Sequence, residues 1–400
     1  MKSKAEKINN ESIELEFQKA FKEQKKQKSK QKKKPIHDDF DQKQFDLLIE
    51  QEQSKRQLQK EETKKLVEEY SQLTAPCFGK GEMIIPDSIS FGKEIKQISK
   101  CKVPNNCTWD YNLNCKTLTS LSIHKEGNVL VCSGNDGIIR VCGLKEKSVV
   151  ENLIGHQSMI PRVTFYDNFV ISVSMDGTVK VWDIVKGEVI TGWTEAPNST
   201  DEKPPYKCVI ANENGIFAGC ANKRIFQYDI REKKHTCEYI VDSIPLDVAH
   251  CGKGIVCSSE DKIIRYYDLG SGSVTKEIQD PNIQTMFCLN DYHGKYVIAQ
   301  SMDNSIVCFR GDPFRQMSGR VFRGHYPGAW CCRPSFSPDG QYILSGDANG
   351  KIFIWSWKKG KILKVFEHAH KGCVTDVIWH STNSSSFISC GWDGNLCYWN

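Results

Sequence analysis

The chain has 400 residues, 39% of them hydrophobic and 26% charged, with a formal net charge of +5. That composition supports a sizeable core and excludes disorder throughout or a collagen-like repeat. No apolar run reaches the roughly 18 residues that span a bilayer as a helix, and the opening MKSKAEKINNESIELEF has no apolar h-region, so neither a membrane partner nor secretion is expected.

The first unit, residues 1–75, holds 18 Lys or Arg and 15 Asp or Glu, while all nine tryptophans and eighteen cysteines lie beyond it. A shift of that size marks a domain boundary. Between Lys19 and Lys34 there are nine lysines and one acid, Glu23. Lys25, Lys26, Lys28, Lys30, Lys32, Lys33 and Lys34 follow no helical face, which predicts an extended, solvated stretch. ESIELEFQKAFKEQ and the run from Phe45 to Leu73 can be helical, but the stripe Leu48, Leu58, Leu66, Tyr70 is too thin to stand alone. The unit therefore reads as a Lys-rich charged arm, disordered or helical on binding. Its lysine block has three readings: a solvated spacer, a nuclear localisation signal, or contact with a phosphate backbone.

After a lead-in over residues 76–103, residues 104–400 repeat at the interval of propeller blades. The clearest copy, GHQSMIPRVTFYDNFVISVSMDGTVKVWD (155–183), has a Gly-His start, two apolar strands, an Asp-Gly turn and a strand ending in Trp-Asp. The residue six places after the turn acid sets the register: Cys142, Trp182, Tyr228, Tyr267, Phe309, Trp355 and Trp399, at intervals of 40, 46, 39, 42, 46 and 44. Seven copies predict an all-β, seven-bladed WD-repeat β-propeller preceded by the charged arm. The last copy ends after its third strand. Its fourth is expected from CTWDYN (107–112), so that the N-terminal strand closes the ring against the last blade.

Counting back four from the turn residue gives Ser172, Ser345 and Ser389, but Cys132, Ala218, Cys257 and Ala299 in the other blades. Buried His-Ser-Asp-Trp sets are therefore expected in three blades: His156, Ser172, Asp176 and Trp182 in the second; His325, Ser345, Asn349 and Trp355 in the sixth; His370, Ser389, Asp393 and Trp399 in the seventh. Recurrence at blade period reads as structure rather than as a hydrolase triad. No G-x-S-x-G, H-E-x-x-H or phosphate-loop motif occurs, so no catalytic residue, cofactor or small-molecule substrate is expected. The cysteines form no C-x-x-C pair and sit mostly in apolar runs, which reads as reduced, buried thiols with no metal site. Arg310, Arg315, Arg320 and Arg323 fall around the connection between the fifth and sixth blades and, with the lysine block, are candidates for contact with RNA or an acidic partner.

The last hundred residues carry more specific pieces: Gln300-Ser301-Met302-Asp303-Asn304, the run Ser335 to Gly340, Ser345-Gly346-Asp347, Trp355-Ser356-Trp357-Lys358, Trp379-His380 and Cys390-Gly391-Trp392-Asp393-Gly394. Over roughly 297–400 the chain closely resembles the pre-mRNA-processing factor 17 family of splicing proteins, more weakly from about Pro86. The resemblance implies a nuclear, non-enzymatic spliceosome component acting around exon ligation. Its partners would be spliceosomal proteins, with snRNA or pre-mRNA backbone as a further contact. A cytoplasmic WD-repeat adaptor or substrate receptor would share the fold, and a propeller enzyme would need a concentrated polar pocket at the channel.

Overall fold

The computed structural model describes residues 100–195, 203–280 and 285–400; the arm, including Lys25 to Lys34, lies outside the described residues. Among the described residues, twenty-eight strands form seven four-stranded antiparallel sheets. The innermost strands of the seven sheets are β2 (Leu118–Ile123), β6 (Arg162–Tyr166), β10 (Tyr206–Asn212), β14 (Pro245–Cys251), β18 (Met286–Tyr292), β22 (Ser335–Phe336) and β26 (Val374–Trp379). Each touches the next all the way round, and β26 touches β2, so the ring is closed. Apolar side chains fill the spaces between neighbouring blades; one such layer joins Val173 and Val181 to Tyr206 and Tyr228, another Ile298 to Trp355.

The turns between second and third strands share one conformation, which explains the repeat. The residue after the turn acid or amide has positive φ in all seven: Gly137, Gly177, Lys223, Lys262, Asn304, Gly350 and Gly394. Four are glycine, for which that conformation is unstrained; a side chain there costs on the order of 1 kcal/mol. The register residues then fall on third strands, among them β4 (Ile138–Gly143), β8 (Val179–Asp183), β24 (Ile352–Ser356) and β28 (Asn395–Trp399), and all seven are buried.

The seventh sheet runs β1 (Cys107–Asn112), β28, β27 (Phe387–Gly391), β26. CTWDYN is thus its outer strand, with Trp109 opposite Tyr398 and their rings stacked at 5.5 Å. Asn105 and Asn106 both donate to the Asn400 carbonyl at 3.1 Å. Cys101 N donates to Asp339 Oδ2 at 2.6 Å, so the residues before β1 also strap across blades six and seven.

The central channel differs from the apolar lining a plain scaffold would have. Arg333, in the short stretch before β22, donates to Asp247 Oδ2 of β14 and, at 3.1 Å, to the Leu289 carbonyl of β18. Its Nε lies 3.9 Å from Asp376 Oδ2 of β26. Asp376 accepts from Leu121 N of β2 at 2.8 Å and from Arg162 of β6 at 3.3 Å. Two arginines and two aspartates thereby join six of the seven innermost regions. Burial pulls Arg162 down to about 10 and pushes the Asp376 carboxyl up, while for Arg333 burial is outweighed by Asp247 and Asp376, which hold it above its ordinary value.

The cysteines also depart in part from expectation. Thirteen of the fifteen free, described cysteines are buried, but Cys288 and Cys331 pair as a disulfide with Cα atoms 6.1 Å apart. Cys288 lies on β18 and Cys331 in the connection into blade six. Their meeting depends on how that connection folds back, which residue spacing does not reveal.

Removing one partner from a buried ion pair leaves an uncompensated charge, at about 3–5 kcal/mol. Arg333→Met should lower unfolding free energy by that amount in urea titration, and adding Asp247→Asn should restore part of it. A loss under about 1 kcal/mol would show that the quartet does not hold the ring.

Candidate interaction surface

Two of the three expected blade networks form as atoms require. In blade two, His156 Nδ1 meets Asp176 at 3.0 Å and Nε2 meets Ser172 Oγ at 2.7 Å, while Trp182 Nε1 donates to Ser172 Oγ at 2.8 Å. In blade seven the matching distances for His370, Asp393, Ser389 and Trp399 are 3.0, 2.8 and 2.9 Å. Burial would raise the Asp393 carboxyl, but His370 and backbone amides hold it down at about 2. Burial lowers His156, and the bonds from His156 and Thr178 hold Asp176 well below the carboxylate range. Each set is spent on tying a loop to its blade, leaving no nucleophile free.

The sixth set does not assemble. His325 Nε2 pairs with Gln300 Oε1 of blade five at 2.7 Å, and its Nδ1 has no partner. Trp355 Nε1 donates to the Arg323 carbonyl at 3.1 Å, and Ser345 Oγ to the Gly346 carbonyl at 3.1 Å. Asn349 is itself held by Asp347, whose carboxylate accepts from Asn349 N and Lys351 N. The acid sits two residues early, at Asp347, with asparagine at 349, and the histidine pairs with the neighbouring blade instead.

Blades one and four hold their turns by another route. Arg140 Nη2 meets Asp136 Oδ2 at 2.5 Å and Arg265 Nη2 meets Asp261 Oδ2 at 2.6 Å, with both arginines buried. Here the blade serines are replaced by Cys132 and Cys257, and the arginine supplies the donor that histidine supplies elsewhere.

Most interior polar groups of the described residues are engaged. One face of the ring bears the turns between second and third strands and the connections between blades. On it, between blades six and seven, Tyr326 is 55% exposed, Trp330 48% and Trp392 38%. The two tryptophans meet edge to face at 4.6 Å. Gly328, with φ +61°, packs beside Tyr326, Ala348 and Trp330; a Cβ there would sit tightly, at 3.3 Å, against Tyr326 and Ala348, on a backbone conformation that disfavours a side chain. Exposed aromatics held in fixed relative positions are the composition of protein-binding hot spots. Met175 and Met302 are exposed on turns of the same face.

The four arginines are not in a connecting loop. Arg310 ends β20 (Ser305–Arg310), and Arg315, Arg320 and Arg323 belong to β21 (Arg315–Arg323), the outer strand of blade five. Arg320 is bound to the Trp357 carbonyl and lies 5.0 Å from that ring, whereas Arg323 faces Asp303 at 3.8 Å. The outer strand of blade five is nine residues long, so it carries three of the four arginines that the spacing placed around the connection to blade six.

A closed ring of seven four-stranded blades, two carrying a His-Ser-Asp-Trp set, defines a WD-repeat β-propeller. The sequence model of the WD domain, G-beta repeat, matches residues 105–142, 147–183, 317–356 and 360–400. The unmatched middle, 184–316, covers blades three and four and most of blade five, where the serine position holds Ala218, Cys257 and Ala299. Over most of its length the chain is similar to pre-mRNA-processing factor 17 of three organisms. It is 28% identical to human (Homo sapiens) pre-mRNA-processing factor 17 over 80% of its length, and 29% to the mouse (Mus musculus) protein over 75%. It is 27% identical to the Saccharomyces cerevisiae protein over 80%. The match spans 57% of the human relative, 53% of the mouse one and 72% of the yeast one, so the chain covers little more than half of the first two.

Ser172→Ala and Ser389→Ala each strand a histidine and a tryptophan nitrogen and should cost about 1–3 kcal/mol. Ser345→Ala should cost under about 1 kcal/mol; equal losses in all three by denaturant titration would mean the networks are not what the serines support. Burial also holds His325 and His380 down at about 4, and His380 Nδ1 accepts from the Thr382 and Asn383 amides. A histidine in an unfolded chain takes its proton near pH 6.5, so the unfolded state binds more protons between there and pH 4. Stability should be level above about pH 6.5 and fall by roughly 2–3 kcal/mol per histidine down to pH 4. Melting temperatures across that range should show the drop, and His325→Gln should shrink it.

Proposed function

We propose that this protein is a non-enzymatic scaffold of pre-mRNA splicing, a nuclear component of the spliceosome acting around the second catalytic step, exon ligation. The observation that carries the scaffold reading is the exposed Tyr326, Trp330 and Trp392 cluster on a ring whose described polar interior groups are largely paired with one another. The channel does concentrate charge, as an enzyme's would. Yet Asp247 and Asp376 are almost wholly buried and both arginines are engaged with them, which leaves no free acid or base to meet a substrate. Splicing is supported by the likeness to the human, mouse and yeast pre-mRNA-processing factors. Spliceosomal proteins are then the partners that the aromatic face would receive.

Tagged full-length protein purified from nuclear extract at moderate salt should bring down spliceosomal snRNAs with lariat intermediate. Trp330→Ala combined with Trp392→Ala should melt within a few degrees of the parent and lose most co-purifying splicing proteins. If neither RNA class exceeds background, the protein is an adaptor working elsewhere.

A further inference from the structure

The outer edge of blade five carries an irregularity that the scaffold role does not use. Along the pairing of β20 with β21, Val307 faces Val321 and Phe309 faces Gln316. Met317, Ser318, Gly319 and Arg320 therefore stand opposite the single residue Cys308. A bulge of this size pushes the strand outward and interrupts the ladder. The stretch Arg315 to Arg320 lines an open notch there, and a Cβ on Gly319 would meet nothing within 4 Å.

Cations converge on this notch. Arg310 and Arg315 lie directly opposite each other across β20 and β21, a like-charge pairing that destabilises a sheet unless an anion offsets it. Arg320 reaches across to the Trp357 and Lys358 carbonyls of blade six. It thereby holds the bulge beside the turn that presents Lys358, Lys359 and Lys361, all exposed. None of these six cations has an ion pair among the described residues, although Arg323, Lys351 and Arg224 nearby in sequence or on other blades do. The acids at hand are Asp312, in the turn after Arg310, and Asp280, which accepts from Gln316. The turns bearing these cations lie on the face opposite the tryptophan pair, since they join third to fourth strands.

We propose that this rim, Arg310, Arg315, Arg320, Lys358, Lys359 and Lys361 around the bulge of β21, binds the phosphodiester backbone of RNA. A notch of main chain flanked by arginine forks fits a phosphate, whose oxygens take paired N–H donors. An acidic protein would also be attracted, but a stable protein interface needs an apolar anchor. The aromatic ring at this rim, Trp357, is already covered by Arg320 and packed on Phe322. The choice of RNA over other polyanions rests on the splicing reading; the binding itself does not.

The test uses purified full-length protein and a fluorescein-labelled single-stranded RNA of mixed sequence. Ultraviolet crosslinking with peptide mapping should place RNA on the peptides holding Met317 to Arg320 and Trp357 to Lys361. The variant Arg315→Ala, Lys358→Ala, Lys359→Ala spares Arg320, which supports Trp357. It should bind about tenfold more weakly, and its slope of log affinity against log salt should shrink by about 2, for three phosphate contacts at roughly 0.7 each. Arg315→Lys should keep most of the affinity. Crosslinks confined to other peptides, or an unchanged salt slope, would overturn the proposal. So would protection of the two rim peptides by poly-glutamate but not by RNA, which would assign the rim to an acidic protein. Because these readouts need no spliceosome, they can fail while snRNA co-purification succeeds, and the reverse.

Discussion

Everything in this ring depends on four charges that water cannot reach easily. Arg162, Asp247, Arg333 and Asp376 come from four different blades and meet where the innermost strands crowd together. Burying any one of them alone would be prohibitive; together they sum to zero and satisfy backbone amides of two further strands, Leu121 and Leu289. The hydrophobic layers between blades are non-directional and would tolerate small rotations of one sheet against the next. The quartet does not, because each bond fixes a direction as well as a distance. Blade six shows the arrangement most plainly: its inner strand is only two residues long, and Arg333, two residues before it, bridges to Asp376 of the next blade.

That fixed hub holds surface residues from different blades in constant relative positions. Trp330 and Trp392 belong to adjacent blades, yet their rings meet at 4.6 Å because the blades beneath them cannot slide. The same holds for the bulge of blade five and the lysine turn of blade six, coupled through Arg320. Binding surfaces assembled from several loops need a scaffold that does not spend the binding energy on ordering itself.

The blade period and the closing strand were legible in the sequence because both rest on local rules. A left-handed residue after each turn acid and a large buried side chain six places on recur whatever the rest of the blade does. The His-Ser-Asp-Trp sets were legible where spacing was kept, at His156 and His370, and failed at His325, where the acid stands at Asp347 instead of at 349. The arginine substitutes left a trace that register counting passes over: D-G-I-I-R at 136–140 and D-K-I-I-R at 261–265 share an acid and an arginine four apart. The quartet had the faintest signal. Asp247 and Asp376 are single acids inside apolar strands, each followed by valine, and nothing local says that Arg333 lies between them. The arm, which composition marks most strongly, lies outside the described residues.

The seam at β1 has a consequence for how the chain is made. Thr108 bonds to Tyr398, 290 residues later, so β1 emerges from the ribosome with no partner and stays an open strand edge while six blades are synthesised behind it. Its side chains are mostly exposed even in the finished ring, so little apolar burial holds it in place beyond the ladder and the Trp109 stack. At high local concentration, as on a polysome, the β28 of one nascent chain and the β1 of another meet the same geometric requirement. Strand exchange between copies is therefore the misassembly this topology invites, and it would yield linked rings that keep every blade and every hydrogen bond of the single one.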